Sequence, residues 1–415
     1  MPRIAIVVLM IMLCITLTGC NGARESDELA YVLLVGVDRD KEDKLEFTFQ
    51  IAIPRSFGGE GAPKDIKEAT ALISVKADSF AEARDLANSS VSRYLTLSHV
   101  KAFIVGEKIA REGIAKTLPA LPRFREYRGS MFLMTVREGT AKEFIESNKP
   151  QLEVSPSRYI ETMMNASDQS SNFLSSTIHD YFTSLKSCCA DPYLTLVGIT
   201  KSQAKEKKST EKGAIDKTGE YLAGSTERTA NPADFIGVAV FNNDKLAGYL
   251  NNKQTRGLTF VQGKFGRGFF VVADPLEPKM AVNLEVEQGR NPKIEANIVN
   301  GRAVFKIDIM VEAEITAIGS GINYESKEYR ELLEQQLTTV VKADVEDMLK
   351  VTQSLGSDAA GLGYYIRPKL RYYNDLKKLD WHDMYQNAEI QVVVNSKVRR
   401  TGFMMRTSPN EMQQE

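Results

Sequence analysis

The clearest signal in the chain is a period-two alternation over residues 305–315. Phe305, Ile307, Ile309, Val311, Ala313 and Ile315 fall on one side, while Lys306, Asp308, Glu312 and Glu314 fall on the other, which only Met310 interrupts. Successive side chains of a strand point to opposite faces, so this pattern predicts a strand with one buried and one wet face, as antiparallel sheets allow. Val282, Leu284 and Val286 alternate in the same way, and Ile294, Ala296 and Ile298 repeat the pattern, so two strands are expected around a turn. Residues 328–351 change to helical spacing, with Leu333, Leu337, Val340, Val341, Val345, Met348 and Leu349 on a single stripe. Burying that stripe on the apolar face of the sheet would close a core. Ile390, Val392 and Val394 add a last strand within residues 390–399.

The first half of the chain reads differently. Residues 29–37 (LAYVLLVGV) are apolar without a break, as in a strand covered on both faces. The polar turn Asp38–Asp43 follows, and then an alternating run through Phe47, Phe49, Ile51 and Ile53, so the two form a hairpin. Gly58, Gly59, Gly61 and Pro63 mark an exposed loop, and residues 73–77 a short strand. Ser79 and Glu82 have capping-box spacing ahead of Phe80, Ala83, Ala87, Val91 and Tyr94 at helical intervals. Strands at 100–105 and 131–136 alternate with helices near 108–118 and from 141 to 146, and residues 155–185 look helical but polar. Residues 201–234 (KSQAKEKKSTEKG and onwards) hold few apolar positions and read as a solvated loop or hinge. Strands at 235–241 and 246–250 flank the turn Asn242–Lys245.

The expected organisation is therefore a multi-domain α+β chain. Residues 1–19 form a signal segment and 20–200 an N-terminal α+β domain. Residues 201–278 hold the charged linker and a small middle domain, 279–402 a C-terminal domain of antiparallel sheet plus helix, and 403–415 a tail. Over 415 residues, more than one core is expected.

The N-terminal segment carries the strongest functional signal. Arg3 precedes an apolar run from Ile4 to Leu17, which ends in Leu17-Thr18-Gly19-Cys20. A transmembrane helix needs roughly 20 apolar residues, and this run is shorter, as an export signal is. Small residues before a cysteine resemble a lipobox, which implies cleavage between Gly19 and Cys20 and a diacylglyceryl group on the Cys20 sulfur. Two acyl chains suffice for stable anchoring at ~0.8 kcal/mol per buried methylene. After Cys20, no stretch is long and apolar enough to span a bilayer.

Charge and chemistry narrow the reading further. The formal charge is −1, and no basic block interleaved with aromatics stands out, so nucleic acid is not an expected partner. Beyond Cys14 and Cys20 the cysteines are Cys188 and Cys189, too few for a disulfide framework. The adjacent pair reads as two thiols in a loop; a vicinal disulfide or a soft-metal site is the sharper alternative. His99, His179 and His382 show no ligand spacing with them, so neither a metal nor another cofactor is expected. Asp38 and Asp40 could face a cation, but a charged turn between strands accounts for them. His99 has no sequence reason to meet a nucleophile or a carboxylate. Tyr364-Tyr365 and Tyr372-Tyr373, with Arg367, Lys369 and Arg371, form a basic aromatic cluster that reads as a helix edge under tyrosines or as a headgroup or partner contact. No GxSxG, P-loop or HExxH motif occurs, Gly263 with Gly266-Arg267-Gly268 lacks a strand-to-helix context, and no catalytic residue is expected.

Taken in order, Gly19-Cys20, Arg24-Glu25, Glu28-Leu29-Ala30, the GVDRD turn and SHVKAFIVGEKIAREGI resemble the C subunit (GerAC-like) of bacterial spore germinant receptors. The resemblance continues through FIGVAVFNNDKLAGYLNNKQTRGL and ends at Trp381 and Arg399-Arg400-Thr401-Gly402. Two departures stand out. Asn21-Gly22 replace the family's Trp-Asp pair, and Asp358–Gly363 replace its DIFGFG-like turn. The resemblance implies three consecutive α+β domains and a non-enzymatic lipoprotein. It would lie on the outer surface of the spore inner membrane with A-type and B-type multipass membrane subunits, in a complex that senses small nutrient germinants. No ligand residues follow from it. A solute-binding lipoprotein of an importer shares the lipobox and is the alternative; it would show two lobes of parallel sheet.

Overall fold

The computed structural model describes residues 25–53, 69–199, 231–370 and 380–402, apart from the single positions 120, 122, 124, 125, 127 and 154. Cys20, the loop expected around Gly58–Pro63, most of the charged segment at 201–234 and the tail at 403–415 therefore lie outside the described residues.

The apolar run after residue 28 becomes β1 (Leu29–Arg39), which pairs antiparallel with β2 (Leu45–Ala52), itself antiparallel to β3 (Thr70–Ala77). On its other side β1 runs parallel to β4 (Tyr94–Thr96) near its start and to β5 (Ala102–Val105) further on. β6 (Phe132–Arg137) and β7 (Tyr193–Ile199) continue the parallel centre, and β8 (Ala233–Asn242) and β9 (Lys245–Leu250) close it antiparallel. The result is a nine-stranded mixed sheet in the order β3-β2-β1-β5-β6-β7-β8-β9, with β4 off this path.

Both faces are covered, which explains why β1 lacks alternation. Val35, Val37 and Phe103 pack under α1 (Phe80–Ser89) and α2 (Glu107–Glu112). Leu34, Ile104 and Met134 pack under α3 (Ala141–Ser147) and α4 (Pro156–Asn165). α5 (Ile178–Lys186) joins the first cluster through Ile178, Tyr181 and Phe182.

Several boundaries differ from the sequence pattern. α1 stops at Ser89, and Tyr94 belongs to β4, where Arg84 sits over its ring. The Ser79 side chain accepts from the Glu82 N–H as expected, but the Glu82 carboxylate takes the Asp78 N–H. The helix expected over 108–118 is broken at Gly113, whose φ of +121° ends α2.

β10 (Arg267–Ala273), β11 (Ala281–Val299), β12 (Arg302–Ile318) and β13 (Glu389–Arg400) form a second sheet in that order. The two alternating runs at 282–286 and 294–298 are one strand of 19 residues, not two around a turn. Register shifts between Gln288, Arg290 and Lys293 absorb Gly289 and Pro292, because a bulge tolerates a proline that a regular ladder excludes. β10 to β12 pair antiparallel as expected, whereas β13 runs parallel to β12. The reason is the long helix between them, here α7 (Lys327–Ser354). The crossover carries the chain back to the end at which β12 began, so that β13 starts beside Val304. Leu333, Leu337, Val341, Val345 and Met348 on α7 bury against Phe305, Ile307, Ile309 and Val311, as the stripe predicts.

The two strands expected at 235–241 and 246–250 are β8 and β9, which extend the first sheet, while β10, which the sequence pattern did not reveal, begins the second. Between them lies α6 (Asn252–Gln262), which the alternation did not reveal. Val238, Val240 and Leu250 belong to the same apolar cluster as the α7 stripe, so β8 and β9 face both cores.

Candidate functional site

The two sheets meet at a buried polar junction. After α7 the chain turns through Gly356 (φ +60°) into the segment Ser357–Leu362, with Ser357 and Asp358 fully buried. One carboxylate oxygen of Asp358 accepts the Leu362 N–H at 2.9 Å; the other accepts the Gly363 N–H at 2.8 Å and the Trp381 indole N–H at 3.1 Å. Trp381 opens α8 (Trp381–Gln386), so the carboxylate ties its own turn to the next helix. Asp191, in the loop before β7, faces it. Its Oδ2 accepts the Asp358 N–H at 2.9 Å, and its own N–H donates to the Asp358 carbonyl at 3.0 Å. The Asp191 Oδ1 holds the Asn243 N–H at 2.9 Å and lies 3.0 Å from His382 Nε2. The Asn242 amide donates to the Gly356 carbonyl at 2.8 Å. Three chain segments are thus joined: the β7 entry, the β8–β9 turn and the α7–α8 connection.

The electrostatics follow from burial. Removal from water pushes Asp358 up to about 7, against the pull of the Gly363 and Leu362 N–H groups, and the Asp191 charge adds to the rise. The Asp191 carboxylate raises His382 above the ordinary imidazole value. Tyr385 is fully buried with its hydroxyl 2.8 Å from the Thr352 hydroxyl, and burial raises it beyond the usual phenol range.

Cys188 and Cys189 border this junction with their sulfurs 2.7 Å apart, Cys188 exposed and Cys189 buried. Burial pushes the Cys189 thiol up to about 12, so little of it is thiolate at neutral pH. A Cβ on Gly363 would stand 2.5 Å from the Cys189 carbonyl, so only glycine permits this approach. Among the described residues, no group of three or more His, Cys, Asp or Glu is placed to hold a metal ion.

The other residues singled out by sequence are placed as follows. Asp38 is buried, and its two oxygens accept the Ala141 and Lys142 N–H groups at 2.8 and 3.0 Å, so it caps α3. Burial raises it to about 6. A Cβ on Gly106 would stand 2.2 Å from the Asp38 carboxylate, so the GVDRD turn and the VGEK segment fit as one unit. Asp40 closes its own turn through the Glu42 and Lys44 N–H groups and pairs with Lys76 at 2.7 Å. His99 is exposed, edge-on to Tyr31 with 4.8 Å between ring centroids, and its Nδ1 is 3.0 Å from the Ser98 hydroxyl. Tyr364 and Tyr365 are exposed, with the Tyr364 ring against Gly361, while Arg371, Tyr372 and Tyr373 lie outside the described residues. The TRG signature sits on α6: Thr255 is buried, Arg256 pairs with Asp344 of α7 at 2.9 Å, and Gly257 lies where a Cβ would meet the Asp344 carbonyl at 2.5 Å.

Sequence reasoning missed Asp191, Asp358 and His382 as a group, since their partners are up to 191 residues away. The one available hint was the position of Asp358 at the head of the family's glycine-containing turn.

Two family models divide the chain between them. A spore germination protein N-terminal domain matches residues 22–199, and a spore germination B3/GerAC-like C-terminal domain matches residues 236–402. The chain belongs to the GerAC-like family of spore germination proteins. Among relatives of this family, spore germination protein KC of Bacillus subtilis (strain 168) is 24% identical over 404 residues, covering 95% of each chain. The putative spore germination protein YfkR of the same organism is 25% identical, over 96% of this chain and 97% of that one. The GerAC-like fold is shared with the crystal structure of the GerBC protein, at a TM-score of 0.52 and 18% identity over 88% of this chain and 96% of that one. As a GerAC-like C subunit the chain has its role in spore germination.

Proposed function

We propose that this chain is the lipid-anchored C subunit of a spore germinant receptor and acts without catalysis. It would be held on the outer surface of the spore inner membrane by diacylglyceryl on Cys20 and assemble with A-type and B-type multipass subunits. The observation that carries the reading is the family match on both sides of the chain, which begins two residues after a lipobox-like cysteine. The described residues contain no helix long and apolar enough to cross a membrane, so attachment by lipid supplies what the described fold does not. The motif residues Asp38, Arg256 and Trp381 fasten elements together, in keeping with a scaffolding subunit. An importer-type binding protein would need two lobes of parallel sheet; two of the three pairings in the second sheet are antiparallel.

The test is Cys20→Ala in the spore-forming host. The variant is expected to leave the membrane fraction, to lose its diacylated peptide in mass spectrometry and to slow nutrient-triggered germination. Normal germination from a wholly soluble variant would sink the proposal.

A further inference from the structure

The sheet directions place one surface of the molecule beside the proposed anchor. β1, β5, β6 and β7 run parallel, with Leu34, Ala102, Phe132 and Tyr193 at one level. β1 begins five residues before that level, at Leu29, so the chain enters at the end of the sheet where β7 starts. From Cys20 to Leu29 the backbone can reach at most ~30 Å whatever its path. The lipid therefore holds this end of the sheet within that distance of the bilayer.

The turn after the buried junction emerges at the same end. Gly361 lies against Ala190 in the loop before β7, and Gly363 against Cys189. Ile366 is buried and pins the segment, while Tyr364 and Tyr365 stay 44% and 41% exposed. Arg367 and Lys369 beside them are exposed, and so are Arg128, ahead of β6, and Lys186, ahead of β7. Acidic groups also lie at this end, Asp27 and Glu28 at the chain entry, Asp180 at the start of α5, Asp244 in the β8–β9 turn, and Asp380 and Asp383 at α8, but the Tyr364–Lys369 segment itself carries none.

We propose that the exposed Tyr364–Lys369 segment is a docking surface for the anionic headgroup layer of a phospholipid bilayer. Tyrosine rings sit favourably at headgroup depth, with an apolar body and a polar tip. Arginine and lysine beside them are drawn to negatively charged lipid over about one Debye length. With a formal charge of −1 the whole chain offers no general attraction, so the local cluster must supply it. Lipid on Cys20 and contact at Tyr364–Lys369 together would fix the orientation of the protein, which a single flexible tether leaves free. This orientation rests on the anchoring reading; the binding surface itself does not need the lipid.

The two can be separated by experiment. The chain from residue 20 onwards carrying Cys20→Ser keeps every described element and has no lipid. It is mixed with sucrose-loaded vesicles of phosphatidylcholine alone or of phosphatidylcholine with phosphatidylglycerol, and sedimented. Binding to the phosphatidylglycerol vesicles, weakened by salt, is expected. Arg367→Ala with Lys369→Ala should reduce it roughly twenty- to thirty-fold, about fivefold for each basic side chain. Tyr364→Ser with Tyr365→Ser should reduce it as well, whereas Lys108→Glu, beyond the far end of β5, should leave it unchanged. Circular dichroism checks that each variant is folded. Absence of binding, binding indifferent to phosphatidylglycerol, or full binding by the Arg367/Lys369 variant would each overturn the proposal. Failure of the anchoring reading would appear separately, as a Cys20 peptide of the parent protein that carries no diacylglyceryl group in mass spectrometry of spore membranes.

Discussion

Asp358 shows how a single side chain can set a condition on the whole fold. The folded state holds its proton up to about pH 7, while the unfolded chain releases it near the ordinary 3.8. Between those values the native state binds the extra proton, so this contribution to stability is full below about pH 3.8 and is lost as pH rises through 7. Its steepest slope is ~1.4 kcal/mol per pH unit. Asp358→Asn cannot titrate. Its amide nitrogen also cannot accept, so either the Leu362 N–H or the Gly363 and Trp381 pair loses its acceptor. The variant is expected to be less stable than the parent at pH 5, with the gap narrowing towards pH 8. Thermal midpoints measured across that range check this, and reading the difference between the two proteins removes contributions common to both, such as Asp38. A gap that is constant with pH would mean that Asp358 is ionised throughout. The sequence showed Asp358 only as the head of a turn, because its state depends on burial among residues distant along the chain.

At the scale of elements, the crossing of α6 and α7 accounts for the TRG signature. Gly257 lets the two helices approach until its Cα side meets the Asp344 backbone, and Arg256 spans the crossing to the buried Asp344 carboxylate with its guanidinium 4.2 Å from the Phe270 ring centroid. Breaking such a pair leaves a charge without its partner in a desolvated place. Arg256→Ala is expected to cost about 3–5 kcal/mol in urea unfolding. Gly257→Val should cost roughly 1–3 kcal/mol by overpacking. A loss below 1 kcal/mol for Arg256→Ala would show that water reaches this crossing. The long strands and α7 were legible because their periods are local properties. α6 was not, since six of its eleven residues are buried, on no single stripe. The single strand β11 was misjudged because Gly289 and Pro292 carry turn chemistry that a bulge accommodates only when β12 is alongside.

On the scale of the whole molecule, β8 and β9 decide how independent the two sheets are. They pair through β7 with the first sheet, yet Val238, Val240 and Leu250 belong to the core closed by α7. The Asp191–Asp358 contacts add a polar fastening at the same junction. Scanning calorimetry of the lipid-free chain should therefore show one main transition. Two well-separated transitions would mean that the sheets are energetically independent and that the junction could act as a hinge.

The sequence by itself determined the alternation of β12, the stripe of α7, the doubly covered β1 and the ordered motifs that mark the GerAC-like family. Each of these is written in neighbouring residues, within the reach of a helical turn, a strand or a short motif. Only the tertiary structure decided that β13 runs parallel, that β8 and β9 serve both cores, and that Asp191, Asp358, Trp381 and His382 share one buried junction. Those outcomes depend on which segments exclude water together, and burial between residues nearly two hundred positions apart leaves no local period to read.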